Sequence, residues 1–113
     1  MNSALELESF INFFEVEPTR THEAGWLYGA HFEAQIGSDT VLATVAPDEA
    51  EFFIEWRQDE RTLLKLKLVM VTEWIFQTRN GREQLFLRTA TDREGICVIT
   101  LRPEVAINLE LQW

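Results

Sequence analysis

The chain has 113 residues, 46% of them hydrophobic and 26% charged, with few glycines and prolines, a size and balance that suit one globular domain and exclude a repetitive or disordered class. Its net charge of −9 repels DNA, RNA and anionic lipid, which argues against a nucleic-acid or membrane-surface role. No apolar run approaches the ~20 residues that cross a bilayer and the N-terminus lacks a basic-then-apolar leader, so a cytoplasmic protein is expected.

In chain order, Ser3 followed by Glu6 reads as a capping box, and Leu7, Phe10, Ile11 and Phe14 recur at helical spacing, which predicts a helix over about 3–14. Leu5 and Phe13 lie off that stripe, which makes the helix apolar on more than one side, and Pro18 stops it. From Trp26 the period changes to two through Tyr28, Ala30, Phe32, Ala34 and Ile36, predicting a strand over about 26–36. Gly37-Ser38-Asp39 turns the chain into a strand over about 40–46, and Pro47-Asp48-Glu49 turns it into another over about 51–57.

The stretch from Thr62 to Arg79 is long enough to invite a helical reading. On a helix, however, Lys65 and Lys67 would lie on nearly opposite sides, whereas on a strand both oppose Leu64, Leu66, Leu68 and Met70. Strands over about 62–71 and 72–79 follow, with a bend, bulge or break expected near Thr72-Glu73 because the run exceeds ordinary strand length.

Asn80-Gly81 is the strongest short-range hairpin signal in the sequence, since a type I′ turn needs positive φ at both central residues. Registering strands of about 72–79 and 82–89 on that turn sets Phe76 opposite Leu85 and Trp74 opposite Leu87 on one face. The other face then pairs Ile75 with Phe86, Gln77 with Gln84 and Glu73 with Arg88. Arg79 faces Arg82, a like-charge pair tolerable only if solvated or bound to an anion. A turn at Thr91-Asp92-Arg93-Glu94-Gly95, a strand over about 96–102, a turn at Arg102-Pro103-Glu104 and a strand over about 105–112 complete the chain.

These elements predict an α+β single domain spanning 1–113: one N-terminal helix packed on a predominantly antiparallel, strongly curved meander sheet or small barrel of seven to eight strands, with a sandwich as the other way to close it. Phe53, Val69, Val71, Ile75 and Phe86 point away from the main apolar alternation, so the second face is expected to be covered by the helix, a subunit or a ligand. A homo-oligomer, specifically a dimer, is one expectation from this.

The charge is unevenly placed: residues 1–60 carry −11 and residues 61–113 carry +2. Acids at Asp48, Glu49, Glu51, Glu55, Asp59 and Glu60 make a candidate surface for a basic protein partner. Catalytic signals are thin. Tyr28, His31 and Glu33 are polar-site candidates, but two histidines, His22 and His31, supply no recognisable metal spacing. Carboxylate pairs at Glu15/Glu17, Glu49/Glu51 and Asp59/Glu60 sit at turns, where water prevents the pKa splitting that acid–base work requires. Cys97, the only cysteine, lies in an apolar run and reads as a packed thiol. No glycine-rich phosphate loop or nucleophile elbow is present, and no cofactor or metal is expected. The leading expectation is a non-enzymatic interaction module, of the kind of an acidic inhibitor or antitoxin acting on a basic protein. The alternatives are a small-molecule binder for hydrophobic or cationic ligands with an aromatic-lined cavity, and an enzyme without a recognisable motif.

Overall fold

The computed structural model describes residues 5–91 and 94–111. Among the described residues a short helix, α1 (Leu7–Phe14), precedes nine strands: β1 (Thr19–Arg20), β2 (Ala30–Ile36), β3 (Asp39–Ala46), β4 (Glu51–Gln58), β5 (Arg61–Leu68), β6 (Val71–Arg79), β7 (Arg82–Ala90), β8 (Glu94–Thr100) and β9 (Ala106–Leu111). They form two antiparallel meanders, β1-β2-β3-β4-β5 and β6-β7-β8-β9, instead of one curved sheet, and neither closes into a barrel. The division falls at Val69-Met70, ahead of the expected Thr72-Glu73. There Met70 takes a left-handed φ of 56°. The Val71 N–H donates to the Ala50 carbonyl and the Ala90 N–H to the Met70 carbonyl, so the chain leaves the first sheet and opens the second within two residues. A bulge between Val71 and Glu73 follows, where an irregularity was expected.

Other boundaries also shift. Ser3 lies outside the described residues, as do Asp92, Arg93, Gln112 and Trp113. Glu6 is the helix N-cap and makes no side-chain capping bond. Trp26–Tyr28 form a 3₁₀ turn instead of the start of a strand, because Gly25 enters it with a φ of 130° and Gly29 closes it. The two-residue strand β1, paired with β2, is too short to leave a periodic signal. The hairpin at Asn80-Gly81 forms in the expected register from Glu73↔Arg88 to Arg79↔Arg82, with φ values of 55° and 75° at its tip.

The core lies where α1 is clasped by the inner faces of both sheets. Phe10, Phe13 and Phe14 are buried with Phe32, Val41, Val45, Phe52 and Ile54 of the first sheet and Leu85, Leu87, Cys97 and Ile99 of the second. Phe10 packs edge-on to Trp74 and Phe76, Phe14 stacks on Phe32 with centroids 4.7 Å apart, and Phe52 meets Trp74 between the sheets. Offset and edge-on rings of this kind add roughly 0.5–1.5 kcal/mol each beyond the area they bury. The helix ends on Glu15 in the left-handed region, whose N–H bonds the Ile11 carbonyl, and Arg102 closes it by donating to the Phe13 and Phe14 carbonyls. Among the described residues no helix is long and apolar enough to cross a membrane.

Candidate interaction surfaces

The helix occupies the inner side of the second sheet, so it does not cover the face on which Ile75 and Phe86 meet. That outer face is built row by row from the strand register. Ile75, Phe86, Val98 and Asn108 form one row, and Gln77, Gln84, Thr100 and Ala106 form the next toward the hairpin tip. In the other direction lie Glu73, Arg88, Ile96 and Glu110. Ile75 is 39% exposed. An open groove of about 430 Å³ crosses this face, with Phe86, Ile96 and Val98 as its floor, Arg79 at one end and Glu110 at the other. The sequence marked Ile75 and Phe86 but passed over Ile96 and Val98; a β8 run that is apolar at successive positions was the signal, since it makes both faces of the strand apolar.

Several polar groups on this face are already partnered, while among the described residues Asn108 on the edge strand is exposed with no side-chain hydrogen bond. Gln77 donates to Gln84 at 3.0 Å and Gln84 to Thr100 at 3.4 Å. Arg88 bridges Glu73 and Glu94 and lies 5.5 Å from the Phe86 ring centre. By contrast, among the described residues Arg79, Arg82 and Glu110 have no ion-pair partner.

The five residues expected on one second face do not share it. Phe53 lies on the outer face of the first sheet between Thr44 and Lys67. Val69 stands at the corner between the sheets, 41% exposed. Val71 is a correction: it is buried in the core, because the bulge at Thr72 adds one residue and reverses the side to which every position before it points.

The acids are also divided. Asp48 and Glu49 sit in the 3₁₀ turn ahead of β4, with Glu51 at the start of that strand, while Asp59 and Glu60 form the turn after it. The eight-residue strand β4, which begins with Glu51, carries the chain to Asp59, about 25 Å of extended backbone. Between them Glu55 is buried and accepts from Arg57 at 2.6 Å and from Thr62 at 3.1 Å. The Arg57 hydrogen bond holds its carboxyl below the ordinary carboxylate value against the opposing effect of burial. Asp59 and Glu60 both take positive φ, 49° and 69°, the geometry that Asn-Gly satisfies at the other hairpin.

His31 shares a hydrogen bond with Thr44 at 3.0 Å, on a row that also contains Phe53. Glu33 is exposed on the adjacent row opposite Leu42. Tyr28 is exposed and rests against the His22 ring, away from both. Among the described residues no group of three His, Cys, Asp or Glu side chains is placed to hold a metal ion.

No family model and no curated protein sequence matches the chain. Its fold is similar to that of a solved chain in a contact-dependent growth inhibition toxin–immunity protein complex from Klebsiella pneumoniae 342, with a TM-score of 0.84, 16% identity, and an alignment covering 96% of this chain and 95% of that one.

Proposed function

We propose that this protein is an inhibitor-type binding module that docks on a basic protein, in the manner of the immunity component of a toxin–immunity pair. The observation that carries the reading is the Asp59-Glu60 turn. Left-handed backbone costs a residue with a side chain about 1–2 kcal/mol, and glycine is the usual solution at such a turn. Two exposed carboxylates kept there at that conformational cost are what an electrostatic docking point requires, because strain persists where it serves a site. The −11 charge of residues 1–60 supports the same partner chemistry, since opposite charge accelerates encounter. The likeness to a chain from a toxin–immunity complex agrees in fold, and the net acidity favours the inhibitor's part over that of a toxin acting on an anionic polymer.

The test is co-expression with the polypeptides of the neighbouring reading frames, each first scored for toxicity to the host. Growth should be rescued and a stoichiometric complex recovered, and Asp59→Asn with Glu60→Gln should slow association at least tenfold at low salt while leaving the fold intact. A chain that neither protects growth nor forms a complex defeats the proposal.

A further inference from the structure

We infer that the outer face of the β6–β9 sheet is the interface of a two-fold homodimer, in which Arg79 of each copy pairs with Glu110 of the partner subunit. The inference is independent of the inhibitor reading, which concerns the opposite half of the molecule.

Three observations lead to it. The first is that the face is apolar at its centre and uncovered: Phe86, Ile96 and Val98 floor an open groove beside an exposed Ile75, while α1 packs on the sheet's other side. Second, Gln77, Gln84 and Thr100 already bond one another in a chain, so burying them costs less than burying free amides, and the exposed Asn108 stands on the edge strand β9.

The third observation selects the occupant. The groups left without an ion-pair partner stand at diagonally opposite corners, Arg79 beside Arg82 at the hairpin tip and Glu110 on the far edge strand. Strands about 4.8 Å apart and same-face residues about 6.7 Å apart put these corners roughly 25 Å from each other. A two-fold axis lying in the interface, perpendicular to that diagonal, carries each Arg79 onto Glu110 of the partner subunit. The same operation sets Phe86 beside the axis, against its own counterpart. One rotation thereby joins two pairs of unpartnered charges and stacks the largest apolar side chain on itself, the self-complementarity that an isologous contact demands. It also places an acid near Arg82, relieving a like-charge opposition that is otherwise unfavourable. Net charges of the same sign oppose the approach, but beyond about 8 Å they are screened at physiological salt. Four short strands make an interface at the small end of the specific range, and a dissociation constant on the order of micromolar is the working expectation.

Sedimentation equilibrium of the whole chain up to roughly 100 µM, about a hundredfold above a micromolar dissociation constant, tests this. The wild type should be a dimer there. Arg79→Glu and Glu110→Arg should each weaken dimerisation at least tenfold, and the double exchange should restore most of the loss, with circular dichroism unchanged in all three. A wild type that stays monomeric overturns the inference, as does a folded double exchange no better than either single variant. A monomer whose outer-face amides shift only when the neutralised partner polypeptide is added would assign the face to that partner and overturn it too. Because Asp59 and Glu60 lie in the other sheet, failure here leaves the growth-rescue result unaffected, and the reverse holds.

Discussion

Arg102 and Phe14 are joined across 88 positions of sequence by a hydrogen bond of 3.1 Å from the guanidinium to the helix-terminal carbonyl. A second bond of 3.1 Å reaches the Phe13 carbonyl, and Nε lies 3.3 Å from the Glu15 carboxylate. The last carbonyls of a helix have no intrahelical donor, so one side chain both caps α1 and ties it to the loop after β8. Arg102→Ala should cost about 1.5–3 kcal/mol, the range for hydrogen bonds with a charged partner. Arg102→Lys should recover less than half of that, because an ammonium cannot match the planar fork. The urea midpoint at unchanged slope reads both.

Phe10 and Ile75 should separate core from surface. Phe10 is fully buried and meets the rings of Trp26, Phe32, Trp74 and Phe76. Its truncation to Ala should destabilise by about 3–5 kcal/mol, a large share of the 5–15 kcal/mol typical of a domain. Ile75→Ala, on the open face, should stay within about 0.5 kcal/mol in dilute monomer. Chemical denaturation at low protein concentration makes the comparison.

The two hairpin tips should respond with opposite sign. Gly81 has a φ of 75°, so Gly81→Ala forces a side chain into the left-handed region and should cost about 1 kcal/mol. Glu60 already carries that strain at 69°, so Glu60→Gly should raise stability by several tenths to about 1 kcal/mol. Thermal melts report the two shifts, and the Glu60 variant should gain stability while losing partner affinity.

Glu55 sets an acid limit. Its folded carboxyl lies below the ordinary value of 4.5, chiefly through the Arg57 hydrogen bond. A depressed pKa contributes stability that is complete above the unfolded value and is lost as pH falls through the folded one. The gap in urea midpoint between wild type and Glu55→Gln should therefore be constant from neutral pH to about 4.5 and close below it.

Cys97 is 1% exposed, and burial pushes its thiol up to about 11. A thiol so protonated and enclosed is a poor nucleophile. A disulfide reagent at mildly alkaline pH should label it in native protein only at the slow rate of opening, and rapidly and stoichiometrically in urea.

What the amino-acid sequence determined by itself is the hairpin at Asn80-Gly81 and its register. Turn type and alternation are local, and a slip of one residue would turn Trp74, Phe76, Leu85 and Leu87 outward together. The aromatic helix stripe and the strand reading of Thr62–Leu68 were legible for the same reason. Tertiary structure alone decided the rest. Nothing local distinguishes one bent meander from two sheets parted at Met70, because the parting is held by the Val71–Ala50 and Ala90–Met70 bonds, whose partners lie 21 and 20 positions apart in sequence. Val71 faces inward because a bulge one residue later resets the alternation. Acids close in sequence reach opposite ends of β4 because a strand is extended. The side of the sheet that the helix covers depends on where Phe10 and Phe14 find their partners, and that choice leaves the Ile75–Phe86 face open.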